Sequence, residues 1–391
     1  MALNHPLQSG FAWLIALAWL WRVTAATFGL PRIPNLLSDE NDISPPGSPS
    51  ITVIVPARNE AADIAATLHS LLGQDYPNLR IIAIDDRSTD QTPSIIDSIA
   101  ALNPEKLRAI HVTELPSGWL GKTHAMALAA SQASTDYLLF TDADVVFRSD
   151  AIRRALGCAV TSNADHFVTI PTTLTKRWDE AAVMSFFHIV SLWGARFWRI
   201  SDPKSKRDAL GVGAFNLLRR SAYLQIGGFE ALRMEIVEDL GLARRIKRAG
   251  LAQRVAFGRN LISLHWASGV GGIVNVMTKN LFSAFGFYIS LALLGCLGFI
   301  AFCVAPAIGL FFQPSRIPAI VTLATVVWAY HLMSRYTSVS TWAALFFPFG
   351  ALVFVFALLR STLITVKQGG VIWRGTFYPL ADLKKEVSAS R

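Results

Sequence analysis

"LLFTDADVVF" (138–147) runs an apolar stretch into two aspartates one residue apart and then turns apolar again. With the two residues before it, "DYLLFTDAD" (136–144) predicts a strand without polar alternation, the pattern of a strand buried on both faces. The same grammar recurs upstream. "ITVIVPARNE" (51–60) is a β-branched strand that stops at Pro56, "LRIIAIDDRSTD" (79–90) is a strand ending in acids, and "LRAIHV" (107–112) is a third. Helical spacing of apolar residues separates them: "ADIAATLHSLL" (62–72), "PSIIDSIAAL" (93–102) and "GKTHAMALAASQA" (121–133). Strand–helix alternation implies a mostly parallel, doubly wound α/β sheet. Such sheets bind ligands at the carboxyl ends of their strands.

Two strands deliver acids to that edge, Asp85-Asp86 and Asp142-Ala143-Asp144. In extended backbone, residues i and i+2 share a side, so Asp142 and Asp144 face one ligand while Ala143 packs behind. Two adjacent carboxylates repel unless a cation lies between them, and Mg²⁺ commonly joins one or two carboxylates to substrate phosphates. The alternative is that both acids cap a following turn, a common use of such a pair. "SGWLGKTHAM" (117–126) places Lys122 where a helix begins, a position whose free N–H groups attract anions, and the lysine suits a diphosphate. His124 beside it reads equally as a packed histidine. Gly211 and Gly213 in "GVGAFNLLRR" (211–220) allow either a close approach of the backbone to the bound ligand or a plain bend. Glu238 and Asp239 open a helical pattern, "DLGLARRIKRAG" (239–250), where acids are favoured by the dipole alone.

Taken in order, four motifs resemble the family 2 glycosyltransferases with the GT-A fold: "VIVPARNE" (53–60), "DDRSTD" (85–90), "TDAD" (141–144) and "GGFEALRMEIVED" (227–239). The spacing agrees across about 50–265. The resemblance implies a GT-A (Rossmann-like), mostly parallel sheet, a nucleotide-sugar donor, usually a UDP-sugar, and transfer with inversion. It also implies roles. Pro56, Ala57, Arg58 and Glu60 would surround the nucleoside and Asp86 would bind the base. Asp142 would sit near ribose and metal, and Asp144 would hold Mg²⁺ or Mn²⁺. Asp239 would act as general base, with Glu238 orienting it or meeting the acceptor. Processive polysaccharide synthases of the family carry Gln/Arg-x-x-Arg-Trp after the Glu-Asp pair. This chain reads "IVNVMTKNLF" (273–282) there, with Lys279 as a possible substitute clamp. The layout is more similar to the lipid-glycosylating members, the hopanoid-associated, carotenoid and ceramide-type enzymes. A polysaccharide synthase or polyprenyl-phosphate glycosyltransferase is the alternative, and a nonenzymatic scaffold a third reading.

The flanks point to lipid. Of 391 residues, 52% are hydrophobic and only 16% charged, against about 25% in soluble domains. "FAWLIALAWLWRVTAATFGL" (11–30) is apolar apart from Arg22, and further runs fall at roughly 281–312, 317–333 and 340–366. Each approaches the ~20 residues that cross a bilayer. No basic segment precedes the first run, which argues against a cleaved signal peptide. Arg22 and Arg32 follow its apolar core and favour a cytoplasmic catalytic region. The expected organisation is an N-terminal membrane helix (1–36), a linker (37–50), the transferase domain (51–270) and a C-terminal membrane region (271–391), in a multi-pass protein of the cell (inner) membrane. The net charge of +9 is scattered and fits anionic lipid headgroups better than nucleic acid. Three cysteines fit a reducing compartment. "VMSFFHIVSLWGARFWRI" (183–200) reads as an amphipathic helix at the membrane surface or as a core helix. One conflict stands: three C-terminal spans would put the tail opposite the domain, whereas Lys367, Arg374, Lys384 and Lys385 favour the same side. Trp373-Arg374 is a candidate interfacial anchor.

Overall fold

The computed structural model describes residues 4–373 and 375–389, so Arg374 lies outside the described residues. In chain order the elements are α1 (Asn4–Gly29), β1 (Ile51–Ala57), α2 (Ile64–Leu72), β2 (Leu79–Asp86), α3 (Thr92–Leu102), β3 (Leu107–Val112), α4 (Gly121–Ser131), β4 (Tyr137–Phe140), β5 (Val145–Phe147), α5 (Ala151–Thr161), β6 (His166–Ile170), β7 (Thr172–Thr173) and α6 (Trp178–Gly194). There follow β8 (Asn216–Arg219), α7 (Arg220–Gln225), α8 (Glu238–Arg248), β9 (Gln253–Phe257), β10 (Ile262–Leu264), α9 (Gly269–Ala284), α10 (Ile289–Phe299), α11 (Ala305–Gly309), α12 (Gln313–Ser334), α13 (Phe347–Gln368), β11 (Gly370–Trp373), β12 (Thr376–Pro379) and α14 (Leu380–Ala389).

Seven strands form one sheet in the order β3-β2-β1-β4-β8-β6-β9. Only β8 runs against its neighbours; the other pairs are parallel. This is the mostly parallel α/β sheet expected. Every residue of β1 and β4 is buried, as the unbroken apolar runs require. Helices cover both faces. Ile64, Leu68 and Leu71 of α2 join one core with Val53 and Val55, and Ala125, Met126 and Ala129 of α4 join another with Ile54 and Phe140.

Two local expectations change. β1 does not stop at Pro56 but runs to Ala57. The Ile54 carbonyl accepts from Thr141 N (3.1 Å), so every second residue faces β4, and that pairing ends at Ile54 opposite Phe140. Pro56 therefore sits where no ladder partner asks for its missing N–H. The stretch 136–144 is not one strand. β4 ends at Phe140 and β5 belongs to a second, three-stranded sheet with β10 and β7. Asp142 and Asp144 thus stand on a bend between two sheets instead of alternating along one strand.

Among the described residues, four helices are long and apolar enough to cross a membrane: Pro6–Arg32, Ile289–Gly309, Gln313–Ser334 and Thr341–Gln368. One precedes the sheet domain and three follow it. On α1, Ile15, Trp19, Val23 and Ala26 pack inward while Leu7, Phe11, Leu14 and Trp21 are exposed. A helix apolar on all sides suits lipid. Arg22, the one charge in that run, lies over the rings of Trp21 (5.3 Å) and Trp193 (5.1 Å), where a cation is attracted by the π faces. α6, which supplies residues 183–194 of the 183–200 stretch, has Val183, Phe186 and Ile189 fully buried in one cluster with α1, α12 and α13. It packs between the sheet domain and the long apolar helices.

Candidate active site

The parallel register sets Ala57 beside Asp85 and Ile54 beside Phe140, so β1, β2 and β4 release their chains at one edge. Three loops meet there. The loop after β1 is stitched to the turn after β2: Asn59 Oδ1 accepts from Thr89 N (2.8 Å), Asn59 N donates to Ser88 Oγ (2.9 Å), and Glu60 N donates to Thr92 Oγ1 (2.8 Å). Asp90 accepts from Ala61 N and Thr92 N. Asn59 and Arg87 both adopt left-handed backbone (φ 55° and 58°). Asn tolerates this, whereas Arg87 is held there by its surroundings. Its Nε donates to Asp86 Oδ1 (2.8 Å), and the Arg58 guanidinium stands 3.8 Å from Asp86 Oδ2. Sequence reading had named Arg58 and Asp86; Arg87 was missed, because an arginine in a turn looks like a solvated residue.

At the neighbouring strand end, Lys122 joins two motifs. Its Nζ lies 2.6 Å from Asp142 Oδ1 and 2.6 Å from Glu238 Oε1. The lysine enters from the first turn of α4 and Glu238 from the first turn of α8. Both are well-buried positions, and a charge there needs a partner. Burial opposes the ammonium charge, but Asp142 and Glu238 outweigh it and hold Lys122 well above its usual range. Lys122, Asp142, Glu238 and Asp239 line one small pocket floored by Phe140 and Asn216. Asp239 Oδ1 accepts from Leu240 N (2.7 Å), so the acids open a helix and also face the pocket. Burial, then the charge of Glu238, push the Asp239 carboxyl up to about 6.

Asp144 lies on the other side of the bend. Burial, then the charges of Asp142 and Glu60, push its carboxyl up to about 7. The local field is short of positive charge. His124 is no part of this cluster: its ring stands edge-on to Trp119 (5.4 Å), burial lowers its pKa, and Trp119 itself carries Arg233 over its face (4.9 Å).

Glycines account for how closely these acids sit. A Cβ on Gly213 would come within 2.5 Å of Asp142 Oδ2, one on Gly211 would strike the Asp239 carbonyl, and one on Gly121 would strike the Asp86 carboxylate. At Gly211 and Gly213 the missing side chain lets the backbone lie directly against Asp239 and Asp142. Behind them lies a buried chain no sequence motif announced. The His166 Nε2 and the Asn216 Oδ1 are 3.0 Å apart, and Gln253 Nε2 donates to His166 Nδ1 (2.9 Å) and to Leu210 O (2.6 Å). Burial lowers the His166 pKa to about 4, against the hydrogen bond to Asn216, so the ring is neutral and ties β6, β8 and β9 to the Gly211 loop.

Residues 52–240 match the sequence profile of Glycosyl transferase family 2. This region is a family 2 glycosyltransferase domain. The chain is 25% identical over 343 residues to the 4,4'-diaponeurosporenoate glycosyltransferase of Staphylococcus aureus strain bovine RF122 / ET3-1, covering 85% of this chain and 89% of the relative. The enzyme of the same description from strain USA300 is 27% identical over 242 residues, 61% of this chain and 62% of its own. Among solved structures, the mannosyltransferase PcManGT from Pyrobaculum calidifontis, in complex with GDP-Man and Mn²⁺, superposes with a TM-score of 0.52 at 18% identity, over 91% of this chain and 98% of that one. The fold is thus GT-A, as the four motifs implied, and the likeness reaches beyond the sheet into the flanking helices. Within this family 2 domain, the acids of three separate motifs (Asp86, Asp142 with Asp144, and Glu238 with Asp239) open onto one edge of the sheet.

Proposed function

We propose that this family 2 enzyme is an inverting transferase that moves a sugar from a nucleotide-sugar donor, a UDP-sugar in the first instance, to an apolar lipid acceptor at the cytoplasmic face of the membrane. The observation that carries the reading is the convergence of Lys122, Asp142, Glu238 and Asp239 on one pocket. Asp86, flanked by two arginines, accepts from the base, and Pro56, Ala57, Arg58 and Glu60 wall the nucleoside. The Lys122 ammonium turns toward the diphosphate as it arrives. An acceptor hydroxyl would give its proton to Asp239 while its oxygen attacks the anomeric carbon from the face opposite the diphosphate; a carboxylate acceptor, such as the one in the relatives' name, would attack already ionised. The C–O bond to the diphosphate breaks, its electron pair stays with the leaving group, and the configuration inverts. A carboxyl held near 6 is poised for this, because a general base works best with a pKa near the operating pH. Glu238, held by Lys122, keeps the base in register.

The residues fit Mg²⁺ or Mn²⁺. Burial first, and then the charges of Asp142 and Glu60, lift the Asp144 carboxyl to about 7, so a cation between Asp142 and Asp144 would relieve their repulsion. No cluster of three acidic, His or Cys ligands exists among the described residues, so the two aspartates would hold the ion jointly with the donor phosphates, the usual habit of Mg²⁺. When bound, the ion supplies Lewis-acid charge to the leaving diphosphate.

The relatives' stated acceptor, 4,4'-diaponeurosporenoate, and the four apolar helices support a lipid-type acceptor. The test is radiolabelled UDP-sugar supplied to membranes containing the protein, followed by lipid extraction. Label in the organic phase that depends on Asp239 is expected; label confined to an insoluble polymer would overturn the acceptor assignment.

A further inference from the structure

Length and apolar content count four spans, yet they do not all relate to the sheet domain in the same way. α1 meets the domain through its C-terminal end, where Gly29 lies against Trp198 and Asn35 bridges to Phe257. Toward its other end, Gln8, Phe11, Ala12 and Ile15 line a cavity with residues of α11 and α12, among them Gly309, Ser315 and Ala319. α12 meets the domain through Ser334, whose carbonyl accepts from Arg259 (3.4 Å). The turn between α11 and α12 carries Phe311, 80% exposed. These helices point away from the sheet.

α13 touches the domain at both ends. In the segment leading into it, Tyr336 stacks on Phe257 of β9 (4.7 Å), Ser338 Oγ donates to Thr173 O of β7 (3.2 Å), and Phe346 packs on Trp178 (5.2 Å). Its far end enters the β11–β12 hairpin, whose Val371 and Tyr378 are buried with Leu120 and Ile236. Leu120 directly precedes Gly121 and Lys122, and Ile236 stands two residues before Glu238. Between these anchors Gly350 presses on Phe186 of α6, and Arg360 donates to Asn275 of α9 (2.7 Å). A helix of 22 residues is about 33 Å long, close to the ~30 Å of a hydrocarbon core. If α13 crossed the bilayer, its ends would lie on opposite faces. One folded domain would then have to reach both.

We infer that α13 does not cross: it lies along the membrane interface on the catalytic-domain side, and the acyl chains of that single leaflet cover its outer face. That face is Leu352, Phe356, Leu359, Leu363 and Val366, all exposed and spaced at i, i+4, i+7, i+11 and i+14, which is one stripe of a helix. The opposite face buries Ser361, Thr362 and Thr365 against protein. The exposed residues Lys367, Lys384 and Lys385 follow at headgroup level, where anionic lipid attracts them. α10 first follows α13 in the antiparallel sense, with Gly295 against Leu358 and Phe299 5.7 Å from Phe354. The π-turn at Ile300–Val304 and Pro306 then redirect the chain toward the outer ends of α1 and α12, so that it crosses three times, through α1, α10–α11 and α12. Its tail shares the side of the domain, which removes the conflict between span count and basic residues. The helix also seats the mouth of the site, through Leu120 and Ile236, at the bilayer surface.

The test uses full-length protein in membranes. Cys158, Cys296 and Cys303 are all buried and are replaced by serine or alanine. Single cysteines are then introduced as Ser44→Cys, Phe311→Cys, Arg335→Cys and Lys385→Cys, keeping variants that retain the wild-type fold by nucleotide binding. A membrane-impermeant maleimide is expected to label 44, 335 and 385 from one side and 311 from the other. Labelling of 385 together with 311 would overturn the inference. In parallel, a fluorophore on Phe356→Cys in lipid vesicles is expected to be quenched more by lipids labelled near the headgroup than by lipids labelled at the acyl terminus. Stronger quenching from the acyl terminus would indicate a span, and no quenching would indicate a second copy of the chain on the stripe. Either result refutes the assignment.

Discussion

Replacing Lys122 by methionine tests the electrostatics of the site more directly than removing any acid. The substitution keeps the apolar stem and deletes an ammonium 2.6 Å from both Asp142 and Glu238. Breaking a buried ion pair costs about 3–5 kcal/mol. The Asp142 side chain is 36% exposed and the Glu238 side chain 8%, so water screens the first contact and the expected loss is about 2–4 kcal/mol. The loss should be largest at alkaline pH, where the carboxylates are ionised and repel, and should shrink on acidification. The second effect is on the base. Lys122 lowers the pKa of Asp239, which burial and Glu238 push up to about 6. Without the lysine it rises further, since a nearby positive charge favours the ionised carboxylate. A base must be ionised to act, so the acid limb of kcat/KM moves to higher pH. That profile reports the free enzyme, the state described here. The assay is radiolabelled transfer across pH 5 to 9 on the folded fraction, verified by nucleotide binding. Loss of a diphosphate contact alone would lower the plateau and leave the limb in place. An unmoved limb, or one shifted to lower pH, refutes the coupling between Lys122 and Asp239.

Three further outcomes are expected. Asp239→Asn should reduce transfer by about 10²–10⁴-fold, the range for a lost general base, while calorimetry finds UDP binding nearly unchanged; a comparable loss of UDP affinity would reassign the residue. Asp144→Asn should weaken UDP binding in Mn²⁺ at least about tenfold, or ~1.4 kcal/mol, and leave binding in chelator unaltered. Gly213→Ala places a methyl within 2.5 Å of Asp142 Oδ2; a displacement near 1 Å can cost about 10²-fold in rate, so transfer should fall in a protein whose thermal unfolding is little changed.

Much of the sheet was legible because strand and helix announce themselves through local periodicity. β3 spans the residues read for it, and α2, α3 and α4 begin or end within two residues of theirs. The bend at 141–144 was not legible. Nothing local says that Val145–Phe147 pairs with β10, more than a hundred residues away, and that pairing pulls the aspartates out of the strand. The acids were named from motifs, but their state was not. Asp144 near 7 and Asp239 near 6 arise first from burial, which only the folded chain sets, and then from neighbouring carboxylates, Asp142 and Glu60 for the one and Glu238 for the other. His166, Asn216 and Gln253 were invisible because a buried polar residue differs from an exposed one only in its surroundings.

The linear chain by itself determined the class of sheet, the edge at which the acids gather, the family of its 52–240 region and the presence of apolar helices, since each rests on residue type at short spacing. Tertiary structure decided that Lys122 spans two motifs, that glycines abut the acids, and which apolar helix lies flat. Those depend on what stands opposite each residue after folding. A helix of 22 apolar residues looks the same to a hydropathy window whether it crosses a bilayer or lies upon it. Only contacts at its two ends separate the cases, and in α13 both ends hold the same domain.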